Sequence, residues 1–309
     1  MTVALGIGTA LARALVFALI ALVIGACAFR LLVEPRVAGP PLDDARRAAA
    51  YGARASVLLL PALALVFLFQ LIAFHDPATP IADDARLLLS LHWGRVWLAQ
   101  AGLAVAGAVA YARSLASLPP SGATSGYGSG RLAPTAAGLA AVALAFTPAL
   151  AGHAIAEEGW TGFAVAADGL HVLGAGAWLG TLAVIALLSL PAVAGGGGSR
   201  LLGRVRAFSP LALGSASVVA ATGAAAILMR FERFSDVWAT GYGRWFAAKL
   251  VLFACLASAA AWNWRRATPH LAAAGDPARM RRSIRTELAL ALLVLLATAF
   301  LVASPPPGG

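Results

Sequence analysis

Residues 55–74 read ASVLLLPALALVFLFQLIAF, twenty positions without a charged side chain, closed by His75-Asp76-Pro77. The hydrocarbon core of a bilayer is about 30 Å thick, and a helix rising about 1.5 Å per residue crosses it with roughly 20 apolar residues. The stretch reads as the core of a transmembrane helix over about 53–74, interrupted once by Pro61. Working outward, runs of the same kind recur at about 12–33, 93–112, 134–152, 167–190, 208–229, 244–264 and 284–303, so that eight spans are expected. The breaks carry loop punctuation: Glu34-Pro35 through Pro40-Pro41, Asp76-Pro77 and Pro80, Pro119 through Gly130, Gly195 through Gly198, and Asp276-Pro277. No break is long enough for a soluble domain. Composition agrees, since 61% of the 309 residues are hydrophobic and 12% charged, with a mean hydropathy of +0.83. A soluble domain carries roughly 45 to 50% apolar and about 25% charged residues. The expected fold class is an all-α integral membrane protein, a bundle of eight transmembrane helices.

Orientation follows from Arg and Lys in alternate loops. One side holds sixteen, including Arg46, Arg47, Arg204, Arg265, Arg266 and the run Arg279 to Arg285; the other holds six, with Lys249 inside the seventh span. The sixteen-rich side is read as cytoplasmic, which puts both termini outside. The net charge of +10 thus belongs to membrane-flanking loops, and no nucleic-acid partner is expected. Ile24-Gly25-Ala26-Cys27 resembles a poor lipoprotein cleavage box. Cleavage there would export the Arg36 to Arg54 loop against the charge rule, so the first span is kept in the mature protein. The two cysteines, Cys27 and Cys255, lie in apolar stretches and form neither a disulfide framework nor a CxxC site.

Trp93-Gly94-Arg95-Val96-Trp97-Leu98-Ala99-Gln100 and Tyr242-Gly243-Arg244-Trp245-Phe246-Ala247-Ala248-Lys249 share a pattern of aromatic, Gly, Arg, any, aromatic, any, Ala, polar. Two readings stay open: a four-plus-four internal repeat, with halves at 1–152 and 153–309, or two similar membrane interfaces marked by aromatics and Arg.

Four of the five histidines fall on the outer side: His75 after span two, His92 opening span three, His153 closing span four, and His171 one turn inside span five; His270 is cytoplasmic. Imidazoles converging from different helices are what a Zn, Cu, Fe or Ni site requires. Asp168 precedes His171 by three residues, on the same helical face, where a carboxylate orients or joins a ligating imidazole. Eight of the thirteen acidic residues are also outer, among them Glu157 and Glu158, whose loop would attract cations but reads better as a solvated connection between two helix ends. We therefore place a metal site at the outer ends of spans three, four and five, with ligands His153 and His171, then His92, supported by Asp168. Pro148, five residues before His153, is expected to kink span four. Lys249 sits two turns inside span seven, where an ionisable group is costly; it is a functional candidate or a snorkelling side chain.

Gly-rich phosphate loops, G-x-S-x-G and H-E-x-x-H are absent, and no enzymatic activity is expected. Met occurs only at positions 1, 229 and 280, so a copper site must rest on nitrogen and oxygen, with the oxidation state open. Paired histidines also hold haem, which makes a b-type haem membrane protein an alternative.

Phe208-Ser209, Thr222-Gly223, Asp236, Thr240, Tyr242-Gly243-Arg244, Lys249 and Asn263 with Arg265-Arg266, together with His171 through Trp178-Leu179-Gly180, resemble the copper-resistance protein D (CopD) family. The likeness is carried by about 208–303, while the first four spans match in hydropathy and length. The resemblance implies a multi-pass protein of the bacterial inner membrane that moves copper from periplasm to cytoplasm, beside a separate periplasmic copper-binding partner of the CopC type. It makes Asp236, Tyr242, Arg244 and Lys249 candidates for transport or gating. A copper-insertion assembly factor without transport is the further alternative.

Overall fold

The computed structural model describes residues 2–37, 42–118, 132–152, 160–189, 197–230, 236–269 and 277–304, and every regular element among them is helical. Helix α1 (Thr2–Ala28) runs on through a π turn (Phe29–Val33) and a 3-10 turn (Glu34–Arg36). It is followed by α2 (Leu42–Phe74), the short α3 (Ile81–Ser90), α4 (His92–Ala116) and α5 (Leu132–Ala151). The fifth span joins α6 (Thr161–Ala175), a π turn (Gly176–Gly180) and α7 (Thr181–Ser189). Then come α8 (Gly197–Arg230), the one-turn α9 (Asp236–Ala239), α10 (Gly241–Trp262) with its π turn (Asn263–Ala267), and α11 (Pro277–Ala303). Eight of these helical stretches are long and apolar enough to cross a bilayer, so the chain is a multi-pass membrane protein.

The spans lie where hydropathy places them, but several helices are longer. On the Arg-rich side α2, α8 and α11 begin at Leu42, Gly197 and Pro277, two to three turns before their apolar runs. Residues such as Asp43-Asp44-Ala45-Arg46-Arg47-Ala48-Ala49-Ala50 are polar on one face yet rich in Ala and Arg, both strong helix formers. Polarity ends the hydropathy run without ending the helix. Two short helices, α3 and α9, lie between the expected spans. In α3 the acidic first turn, Asp83 and Asp84, follows Pro80, and Leu88 is buried.

The first and fifth spans form the centre: 56% and 67% of their most apolar windows are buried, against 11% for the sixth and seventh. The two central spans touch at backbone distance. A Cβ on Gly180 would overlap the Ala21 carbonyl and lie 3.1 Å from Gly25 Cα, and one on Gly25 would overlap the Gly180 carbonyl. Small residues permit such an approach where lipid and side chains are equally apolar and contact must come from close packing. Thr181 Oγ1 donates to Gly25 O at 3.3 Å in the same seam. Around it Val23, Trp178, Ile185 and Leu188 are buried, while Leu213 and Val251 on the outer helices face outward to lipid.

Several polar groups inside the spans are paired, as hydrocarbon demands. Tyr111 donates to Val23 O (2.7 Å), Trp97 to Leu63 O (2.9 Å) and Gln100 to Thr147 Oγ1 (2.8 Å). Pro148 removes the amide that would bond Leu144 O, and the Thr147 hydroxyl takes that carbonyl instead at 2.8 Å. Helix α5 continues through the proline to Ala151.

Candidate functional site

Three histidines at the span ends away from the Arg-rich side, His75, His92 and His171, are fixed by hydrogen bonds that decide which ring nitrogen holds the lone pair. His171 Nδ1 lies 3.0 Å from Thr222 Oγ1 on α8, and the Thr222 hydroxyl donates to Val218 O at 2.7 Å. A hydroxyl has one hydrogen, and it is committed to the carbonyl. Nδ1 is therefore the donor to Oγ1, and the neutral ring carries its lone pair on Nε2. Gly223 lies beside the ring edge: a Cβ there would stand 3.8 Å from His171 Cε1.

His92, exposed at the start of α4, donates from Nε2 to Leu150 O (3.0 Å), one of the carbonyls that the last turn of α5 leaves unpaired. Its lone pair lies on Nδ1. His75 donates from Nδ1 to Asp84 Oδ2 at 2.7 Å, leaving the lone pair on Nε2. Asp84 also accepts from the Thr79 hydroxyl (2.9 Å) and the Asp76 amide (3.3 Å). The hydrogen bond from His75, helped by those from Thr79 and Asp76, holds the Asp84 carboxyl below the usual carboxylate range against a smaller opposing effect of burial. Tying one imidazole nitrogen and orienting the other is what outer-shell partners do for a metal-ligating histidine.

His92 on α4 and His171 on α6 lie on elements joined by packing, α4 against α5, α5 against α6, and α6 against α8. Asp168 lies half-buried one turn before His171 on α6. His153, Glu157, Glu158 and His270 lie outside the described residues. Among the described residues, no three His, Cys, Asp or Glu side chains stand together as a ligand group. Sequence reasoning missed Thr222 and Asp84 as partners of the imidazoles. The signal for Thr222 was its place in a span; that for Asp84 was spacing across a Pro-bounded turn.

The Thr240 to Lys249 segment opens α10. Thr240 Oγ1 accepts from the Gly243 amide at 2.9 Å, a helix N-cap. Tyr242, 2% exposed, packs with Phe246, Leu301 and Ile227, and Trp245 stacks on Phe300 with centroids 4.7 Å apart. Thr240 caps α10, and Tyr242 and Trp245 dock it on α11. Arg244 is exposed, Lys249 is half-buried two turns further in, and Asp236 opens α9. Short helices precede both aromatic-Gly-Arg segments, α3 before α4 and α9 before α10.

The Arg-rich end carries buried polar pairs of its own. Arg204 on α8 reaches Asp44 on α2 in a buried ion pair and donates to Ser189 Oγ at 3.0 Å. Arg30 bonds Ser114 Oγ. Asn263 Nδ2 donates to Glu287 Oε1 at 2.7 Å between α10 and α11, with both side chains buried.

Two family models match the sequence that builds this bundle: the copper resistance protein D-like N-terminal domain over residues 4–163, and copper resistance protein D over residues 202–301. The chain belongs to the copper resistance protein D family. Membership connects it to copper resistance and extends the likeness to the first four spans. The second match ends near the end of α11 and begins in α8, so that Thr222, the Thr240 to Lys249 cap and the Asn263–Glu287 pair all fall within it. Comparison with curated proteins and with solved structures finds no match.

Proposed function

We propose that this copper resistance protein D homologue is a permease of the bacterial inner membrane that carries copper from periplasm to cytoplasm, with its Arg-rich side and not its termini in the cytoplasm. The observation that supports this reading best is the His171–Thr222 bond. It holds a half-buried imidazole on the fifth span with Nδ1 donating and Nε2 as the ligating nitrogen. His153 and His92 complete the ligand set, and Asp168 assists His171. Copper here is the transported substrate; captured at the outer ends of α4, α5 and α6, it passes inward, and Lys249 and Arg244 set the charge along the route. Asp236 and Tyr242 hold the mouth of α10 in place for that step. A separate periplasmic copper-binding protein of the CopC type delivers the ion, and no enzymatic step is involved.

Uptake of radioactive copper into proteoliposomes tests the proposal. Wild-type protein should accumulate copper, and the His153/His171 double substitution to Ala should not. Equal uptake by both would overturn the site, and no uptake by the wild type would overturn transport. A reporter fused at Gly309 should be active in the periplasm; activity only in the cytoplasm would reverse the orientation.

A further inference from the structure

Glu287 lies ten residues into α11 at the Arg-rich edge of its apolar run, and it is 3% exposed. Among the described residues its carboxyl has one polar partner, Asn263 Nδ2 on the neighbouring span, at 2.7 Å. Asn263 is 7% exposed, and its Oδ1 is buried with no hydrogen-bond donor among the described residues. The pair therefore holds a buried acid without a cation beside it and a buried acceptor without a hydrogen.

Charged groups on the packed elements do not resolve this. On α8, Arg204 is committed to Asp44 and Ser189; beyond α1, Arg30 bonds Ser114; α7 has no ionisable residue. Arg265 and Arg266 follow Asn263 in the π turn, and Arg281 and Arg285 precede Glu287 on its own helix; none forms a hydrogen bond or ion pair with it. A buried carboxylate with one neutral donor bears a large desolvation cost, and an orphaned buried amide oxygen adds to it. A single proton removes both defects.

We propose that Glu287 and Asn263 form a proton-binding site between the seventh and eighth spans. A proton added to Oε2 makes Glu287 a carboxylic acid whose O–H donates to Asn263 Oδ1, while Asn263 Nδ2–H donates to Oε1. The two groups then close a reciprocal, uncharged pair. Turning the Asn263 amide over sets Oδ1 against the carboxyl and calls for the same proton. Losing the proton leaves a charge in the seam between α10 and α11, so the site gives these two spans a state that depends on protons, independently of what the outer histidines bind.

Infrared spectroscopy of the protein in liposomes, with its glutamates labelled at the side-chain carboxyl, tests this. Wild-type protein at neutral pH should show a protonated-glutamate C=O band that Glu287→Gln lacks. Because Gln preserves the two-way hydrogen bonding, that variant should melt close to wild type. If it fails to fold, Asn263→Leu serves: removing the acceptor should move the band to higher frequency. No protonated-glutamate band in the wild type, an identical band in Glu287→Gln, or an unshifted band in Asn263→Leu would each overturn the site. None of these readings depends on copper transport.

Discussion

Replacing Thr222 with Val keeps the shape of the side chain and removes the one oxygen that His171 Nδ1 addresses at 3.0 Å. Val218 O loses only an additional side-chain donor, so the helix is not expected to suffer. The ring loses about 0.5 to 1.5 kcal/mol of hydrogen bonding and, with it, the preference for the tautomer that puts the lone pair on Nε2. Outer-shell partners of ligating histidines typically contribute 10- to 100-fold in metal affinity, about 1.4 to 2.8 kcal/mol. Thr222→Val should thus weaken copper binding by about tenfold or more, Thr222→Ser should restore it, and His171→Ala should exceed both. Copper titration of purified variants against a competing chelator reads this directly. Affinity within twofold of wild type in Thr222→Val, alongside a large loss in His171→Ala, would refute the positioning role; no loss in either would remove His171 from the site.

Three further outcomes follow from packing and charge. Gly180→Ala places a Cβ into the Ala21 carbonyl, where both partners are backbone, and should cost at least the 1 to 3 kcal/mol typical of overpacking; an unchanged melting temperature in detergent would contradict the seam. Asp44→Asn leaves Arg204 buried without its anion and should cost about 3 to 5 kcal/mol, whereas Asp44→Leu with Arg204→Met should recover most of it in the same assay. The Asp84 carboxyl sits below its ordinary value, so the stability it contributes is fully present above about pH 4 and is lost as pH falls through its lower folded value. Protection factors at the Asp76, Thr79 and Asp84 amides, taken relative to the intrinsic exchange rate at each pH, should fall only in that acidic window and should already be low at neutral pH in Asp84→Asn.

The spans were legible because hydrocarbon thickness fixes one quantity, apolar length, and a run such as 55–74 states it openly. What hydropathy could not register was helix beyond the membrane. Asp43 to Tyr51, rich in Ala and Arg, has the propensity of a helix and the polarity of a loop, and there propensity decides where the chain stops turning. The seam between Gly25 and Gly180 was readable in principle from Gly176-x-x-x-Gly180, a small-residue spacing that the surrounding Trp178-Leu179 overshadowed. The histidines could be sorted to one face by counting spans. Their partners could not, since Thr222 is 51 positions from His171 and Leu150 is 58 from His92, and such pairings arise only from which helices pack. The Thr-x-Tyr-Gly-Arg segment was noticed for its likeness to a family, while half of its content is the ordinary work of starting a helix and docking it.

A π turn holds one residue more than an α turn, and α-helical residues are set about 100° apart. The turn at Gly176–Gly180 therefore puts the two halves of the fifth span out of phase. Before it, α6 addresses His171 to α8; after it, α7 addresses Ile185 and Leu188 to the core around α1. One continuous α-helix with the same sequence would satisfy one of these directions and miss the other by nearly a third of a revolution. Closing the π turn with every residue retained would swing the imidazole off its threonine without touching either side chain, whereas deleting one residue as the turn closes, Ala177 for instance, would leave both directions as they are. The aim of the histidine is thus set by the one residue that the π turn takes up between it and α7.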